Sequence, residues 1–307
     1  MPGRIFLTGA SGFVGAAVLD ELLARGYLVN ALVHQKTLDP AQGRVESIQG
    51  GLFDPQAIQR GLRDCSAVVH LVGIIEEHPR HGVTFHRIHC EGARNVVDAA
   101  TRAGVKRFVH MSALGTRPNA VSNYHKTKQQ AEQLLRNSAL DWTIIRPSLI
   151  HGPAGQFMQT VARWARKQAP PPLFFMPFMP YFGGRHAGRI QPVFVKDVAR
   201  AFVDALEKPT TIGRVYELAG PDQMTWPQFH HICAQAIVHK RRLTAAMPLS
   251  VAKLLAALGI APFLGFNLDQ VLMSQEDNTC DLTGFQKDFG WQPRGFETSL
   301  RSYSAQL

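Results

Sequence analysis

The sequence predicts an α/β protein whose strands form one parallel, doubly wound sheet covered by helices on both faces, followed by a smaller, mainly helical C-terminal domain. Three observations carry that expectation. Strand-like and helix-like stretches alternate from Arg4 onward. The strand-like stretches are apolar almost throughout, as strands buried on both faces of a parallel sheet must be. Three glycines, Gly9, Gly12 and Gly15, fall between the first strand and the first helix.

Taken in order, "RIFLT" from Arg4 is a strand, "GASGFVG" a turn, and an apolar-periodic helix then runs to Arg25 with Gly26 as its stop. "YLVNALV" closes a βαβ unit. "VESIQG" gives a short third strand, Pro55 to Leu62 a helix, and "AVVHLVG" a fourth strand. A long helix from about Phe85 to Ala103 follows, then the strand "RFVHM", the helix carrying Tyr124 and the strand "WTIIRPS". After Gly152 the segment "APPPLFFMPFMPYFGGRHAG" is rich in proline and aromatics, a composition unsuited to a regular helix or a central strand. "PVFVKDVARAFVDAL" and "VYELAG" return to strand, helix, strand, with Asp197 expected as the helix N-cap, and the chain from Pro221 reads as helices with loops. The expected division is a Rossmann-type domain of residues 1–152 and 191–220, with residues 153–190 and 221–307 forming the smaller, substrate-side domain.

Composition narrows the class. Of 307 residues, 45% are hydrophobic and 18% charged, enough to bury one large core and a smaller appendage. Cys65, Cys90, Cys233 and Cys280 show no CxxC or paired spacing, so neither a zinc site nor a disulfide framework is expected, and no metal ligands are assigned. "MPGRIFLTGA" runs straight into a core strand and leaves no room for a signal peptide. The apolar run from Leu254 to Leu264 is short for a bilayer and is broken by Gly259 and Pro262. A cytoplasmic location is expected, with peripheral membrane contact as the alternative. The net charge of +10 favours anionic ligands, but the basic residues are dispersed and lack aromatic interleaving, which argues against nucleic acid.

The glycine spacing GxxGxxG, between a strand and a helix, suits a backbone that must approach a pyrophosphate closely at a helix N-terminus. Gly9, Ser11, Gly12, Phe13, Val14 and Gly15 are the expected phosphate-side contacts. The adenosine ribose is read after the second strand, where "ALVHQKT" offers His34 and Lys36 and no acidic residue. That favours NADP(H), with NAD(H) as the alternative. In "NYHKTK", Tyr124 and Lys128 are four apart and share one helix face, so the ammonium can lie near the phenol and favour its ionised form.

The ordered set "TGASGFVG", "VVHLVG", "EGARNVVDAA", "RFVHMSALG", "YHKTK", "TIIRPSLIHGP", "PVFVKDVA", "VYELAGPD" and "FGWQPRGFETSL" resembles the extended, atypical branch of the short-chain dehydrogenase/reductase superfamily over nearly the whole chain. The likeness extends to the epimerase/dehydratase-like group that includes the NAD(P)H-binding accessory subunit of complex I. The resemblance implies that Tyr124 is the acid/base, that Lys128 tunes it and holds the nicotinamide ribose, that Leu71, Val72 and Gly73 line that ribose, and that Pro147 and Ser148 lie near the carboxamide. The hydroxyl usual after the fifth strand aligns with Ala113, one residue past Ser112, so Ser112 either caps the turn or reaches substrate. An asparagine usual on the preceding helix is His89, which either relays protons or packs. The aspartate usual after the third strand is Gly51, leaving Asp54 as a candidate substitute.

Two functions follow from the resemblance. One is an oxidoreductase acting on a small carbonyl, hydroxyl or nucleotide-sugar-like compound. The other is a non-catalytic NADPH-binding subunit or sensor with a respiratory-complex or membrane-surface partner. For the aromatic segment "LFFMPFMPYF", a place in the core of the small domain is expected first, a mouth for apolar substrate second, and a membrane or protein contact third.

Overall fold

The computed structural model describes residues 3–34, 37–168, 175–178, 188–248, 277–307 and single positions at 250, 251, 254, 255, 258 and 273. The chain forms two compact units: residues 1–147, 195–218 and 283–291 make the first, and residues 148–194, 219–282 and 292–307 the second.

In the first unit the predicted alternation is present. Strands β1 (Arg4–Thr8), β2 (Leu28–Val33), β3 (Val45–Gln49), β4 (Cys65–His70), β5 (Arg107–Met111), β6 (Asp141–Pro147) and a seventh strand, Arg214–Leu218, form one sheet. Their spatial order is seventh, β6, β5, β4, β1, β2, β3, and every pair is parallel. Chain progress along the sheet reverses between β1 and β4, so the loops leaving these two strands open a crevice at the carboxyl ends of the strands. Helices α1 (Phe13–Ala24), α2 (Pro55–Gly61), α3 (Gly92–Arg102) and α4 (Asn123–Arg136) cover the sheet, and beyond α5 (Gln156–Arg166) the chain returns through α6 (Val195–Glu207). Phe6, Val68, Phe108 and Ile144 from four neighbouring strands bury against Val96 and Ala100 of α3 and Leu135 of α4. Removing one such phenylalanine side chain typically costs about 3–5 kcal/mol.

Four features differ from the expectation. The helix from Phe85 to Ala103 begins as a wide π-type turn over His86–Glu91, and this turn carries His89 inward. Asp197 is not the N-cap: α6 starts at Val195, so Asp197 lies buried inside the first turn, where the helix dipole favours a carboxylate. Residues 283–291, expected with the small domain, pack in the first unit. Phe285 and Phe289 meet the Tyr216 ring, and Trp291 donates to Asp204 at 2.6 Å. Within the proline-rich segment, Phe175–Phe178 is a strand paired in parallel with Leu243–Ala246, and a two-stranded edge accommodates its Pro177.

The second unit is mainly helical. α5, α7 (Trp226–Val238, capped by Thr225 and Gln228) and the helix Phe296–Arg301 pack around Phe229, which stacks on Phe157 and Phe296. Met176 is fully buried, as expected of a core role for its segment. The rest of "LFFMPFMPYF", and most of the apolar run from Leu254 to Leu264, lie outside the described residues. Among the described residues no helix is long and apolar enough to cross a membrane.

Candidate functional site

The loop leaving β1 is shaped by what its glycines lack. Gly9 adopts φ +81°, and a Cβ there would lie 3.2 Å from the Val72 amide nitrogen, so the β1 turn presses directly on the exit from β4. A Cβ on Gly15 would overlap the Gly9 carbonyl oxygen at 1.9 Å. The first turn of α1 therefore closes onto this loop only because both positions are bare. Gly12 is the N-cap and supplies no side-chain acceptor, which leaves the N–H groups of the first turn to a ligand. Ser11 is exposed, Phe13 half-buried and Val14 buried on the inner face.

At the end of β2, His34 is exposed, and its Cδ2 lies 3.4 Å from the place a Cβ on Gly51 would take. Lys36 lies outside the described residues. Asp54 accepts a hydrogen bond from the Ala57 amide at 3.0 Å and caps α2, so the carboxylate considered as a substitute at the adenine is committed to that helix.

At the exit from β4, Leu71 donates its amide to the Thr8 carbonyl at 3.2 Å. A Cβ on Gly73 would come within 2.9 Å of Lys128 Nζ, so the lysine from α4 reaches this loop through the space a side chain would fill. Lys128 is 2% exposed and donates to the Met111 carbonyl at 3.1 Å. Burial lowers its pKa to about 8, against the opposing pull of the Glu132 carboxylate and Cys90. Tyr124, one turn earlier on the same face, is half-buried, its ring packed against those of Phe85, His89 and His125 at 5.8, 5.4 and 5.2 Å. Burial pushes its phenol up to about 12, opposite to the lowering expected from Lys128. Among the described residues its hydroxyl makes no hydrogen bond.

His89 links these parts. Its Nε2 accepts the Ile74 amide at 3.1 Å, which places the ring proton on Nδ1, and Nδ1 donates to Thr127 Oγ1 at 2.9 Å. The Thr127 hydroxyl in turn donates to the carbonyl of Asn123 or Tyr124. Burial first and the Lys128 ammonium second lower the His89 pKa to about 2, so the ring is neutral and both nitrogens are used in tying the Leu71–Ile74 loop to α4.

The remaining candidates are more dispersed. Ser112 is buried, and its hydroxyl donates to Thr116 Oγ1 at 3.3 Å, engaged within its own turn. Pro147 ends β6, two strands from β4, and its carbonyl accepts the Leu114 amide at 2.8 Å. Ser148 belongs to the second unit and donates to the Gln191 carbonyl at 2.5 Å.

A buried row beneath the site escaped the sequence reading. Thr8, His70 and His110 are register neighbours on β1, β4 and β5. Thr8 Oγ1 meets His70 Nδ1 at 2.7 Å, and the two imidazoles stack at 5.4 Å. Both Nε2 atoms are buried, with no hydrogen-bond partner among the described residues. Burial lowers His70 to about 3 and, with the neighbouring His70 and Lys128, holds His110 well below its ordinary value. The available signal was a histidine near the end of both "AVVH" and "RFVHM".

The sheet order, the bare glycine turn at its switch point and the buried lysine beside the β4 exit together define a dinucleotide-binding protein of the short-chain dehydrogenase/reductase type. Residues 9–163 match the NAD(P)H-binding family, and the chain belongs to it. The chain is 25% identical over 230 residues to the mitochondrial NADH dehydrogenase [ubiquinone] 1 alpha subcomplex subunit 9 of Dictyostelium discoideum, a match covering 72% of this chain and 60% of that protein. It is 28% identical to the ceramide reductase of Caulobacter vibrioides over 78% of this chain and 73% of that one. In fold it matches a short-chain dehydrogenase/reductase superfamily protein from Agrobacterium tumefaciens with bound NAD, with a TM-score of 0.72 and 20% identity over 99% of this chain and 96% of that one. A nicotinamide dinucleotide is the cofactor of this family, and Gly9, Gly15 and the buried ammonium of Lys128 fit one.

Proposed function

We propose that the protein is an NADP(H)-preferring oxidoreductase for a small carbonyl or hydroxyl compound, with Tyr124 as acid/base. The observation that carries this reading is the placement of Lys128 Nζ against Gly73, one helical turn from Tyr124, at the switch point of the sheet. Gly9, Ser11, Gly12, Phe13, Val14 and Gly15 would hold the diphosphate, His34 and Lys36 the 2′-phosphate, Leu71, Val72 and Gly73 the nicotinamide ribose, and Pro147 with Ser148 the carboxamide. The Lys128 ammonium has three donors, and Met111 takes one, leaving two for ribose hydroxyls.

When bound, the cofactor supplies or accepts hydride. Tyr124 is neutral at pH 7 and so is ready to donate its proton to a substrate oxygen. The reverse direction needs the phenolate, which the Lys128 charge favours once water is excluded. Residues 1–152 and 191–220 would serve the cofactor, and residues 153–190 and 221–307 the substrate, in the cytoplasm.

Three observations favour a second reading, a non-catalytic NADPH-binding subunit at the periphery of a respiratory complex. The phenol is raised and Ser112 is engaged with Thr116, and one relative is itself a subunit of NADH dehydrogenase. Tyr124→Phe separates the two. Reductase activity with NADPH should be lost while NADPH affinity stays within about twofold, because the hydroxyl acts on substrate. Unchanged turnover would remove Tyr124 from the acid/base role, and a wild type inert toward a panel of aldehydes and ketones would favour the subunit reading.

A further inference from the structure

A cavity of about 420 Å³ lies on the first unit at the β3 edge of the sheet, lined by Arg4, Asn30, Glu46, Arg60, Arg63 and Asp64 among others. None of these residues is among the expected dinucleotide contacts, and three arginines and two carboxylates line the cavity, with Arg60, Arg63, Glu46 and Asp64 exposed.

The arrangement is built from inside. Asn30 is 2% exposed in the middle of β2, an unusual position for an amide. Its Oδ1 accepts from Arg4 Nη1 at 2.7 Å, and its Nδ2 donates to the carbonyls of Gly61 at 2.9 Å and Arg63 at 3.2 Å. One buried side chain thus fixes both the Arg4 guanidinium and the backbone that carries Arg63. Asp64 completes the turn in the left-handed region, at φ +59°.

The charges are unevenly satisfied. Arg4 has Asn30 and, at 3.8 Å, Glu46. Among the described residues Arg60 meets only the Gln49 carbonyl, at 3.4 Å, and the Arg63 guanidinium meets no acceptor. Guanidinium forks match the paired oxygens of phosphate, while the Glu46 and Asp64 carboxylates at the wall accept from hydroxyl groups. The volume falls within the range of small-molecule sites.

We propose that this cavity binds a phosphate monoester of a hydroxylated small molecule, with Arg60 and Arg63 on the phosphate and Asn30 holding Arg4 as the third positive group. It is a second anion site, separate in sequence and position from the glycine turn.

The test is calorimetric titration of the NADPH-loaded protein with glycerol 3-phosphate at constant ionic strength, with glycerol as the control, in wild type and in Arg60→Gln/Arg63→Gln. Glycerol 3-phosphate should bind the wild type, and the double variant should bind about tenfold or more weakly with its NADPH affinity and melting temperature unchanged. Arg63→Lys should retain part of the binding. No binding to wild type, or equal binding to both proteins, overturns the proposal. Sedimentation with phosphatidylglycerol vesicles that depends on the two arginines, without binding of glycerol 3-phosphate, overturns it in favour of a membrane-surface contact. If NADPH fails to bind, the same titration on the free protein decides this cavity independently of the enzymatic reading.

Discussion

Lys128 meets two opposed requirements. A charge held at 2% exposure with one carbonyl acceptor is poorly solvated, which lowers its pKa to about 8, yet the proposed roles toward a ribose and a developing phenolate both need the charged form. The sign follows from the folded pKa lying below the unfolded value near 10.5. Below about pH 8 the folded chain carries the full cost of the buried ammonium. As pH rises from about 8 toward 10.5 the folded lysine is already neutral while the unfolded one is charged, so the native state gains relative stability. NADPH affinity moves the other way and should fall as pH rises through about 8. Fluorescence titrations from pH 6.5 to 9.5 would show it, and Lys128→Met should bind weakly with a flat profile. A wild-type affinity independent of pH across that range would contradict the placement of Lys128 on the ribose.

At the scale of elements, the site depends on how the loop after β4 is tied to α4. His89 makes that tie through Ile74 and Thr127, and it is oriented by the π-type turn. His89→Leu leaves the Ile74 amide without its acceptor, at a cost of roughly 1–3 kcal/mol, and should weaken NADPH binding by loosening the loop against Lys128. His89→Asn, shorter but able to accept, should recover part of both; denaturant unfolding and NADPH titration read the two effects. A loss of stability with unaltered NADPH affinity would confine His89 to the scaffold. Legibility also divides along this line. Gly9, Gly12, Gly15 and the Tyr124–Lys128 spacing were readable because each constraint is local: a bare turn, or one turn of one helix. The roles of Ser112 and Asp54 were not, because a short polar side chain at a turn can either pair locally, as these do with Thr116 and the Ala57 amide, or reach a ligand, and His89 is decided by Ile74 and Thr127, partners brought from other elements. The inward rotation of His89 also required a π-type turn that helical periodicity does not announce.

For the molecule as a whole, buried neutral histidines set the acid limit. His70 and His110 stack between β4 and β5, and these two and His89 all have pKa values held down mainly by burial. Their folded values lie below the unfolded value near 6.5, so stability is present above that pH and is lost as pH falls through it, when the unfolded chain takes up protons that the folded one refuses. Each contributes about 1.4 kcal/mol per pH unit, and three together approach roughly 4 kcal/mol per unit. Melting temperature should therefore fall steeply between pH 6.5 and 5, and His70→Phe/His110→Phe should flatten the slope. An unchanged slope would move the acid sensitivity elsewhere. The parallel sheet was legible from apolar strands alternating with helices, whereas its strand order and the pairing of His70 with His110 depended on neighbours and register that the sequence does not state.

In the proposed function a bare glycine turn at the switch point grips the diphosphate of a nicotinamide dinucleotide. Calorimetric titration of wild type and Gly15→Ala with NADPH tests it most directly, because the added methyl would collide with the Gly9 carbonyl oxygen and force the turn out of its shape. The wild-type chain should bind one NADPH, and a Gly15→Ala protein that remains folded by circular dichroism should show no measurable binding. Equal affinity in the two proteins would contradict it.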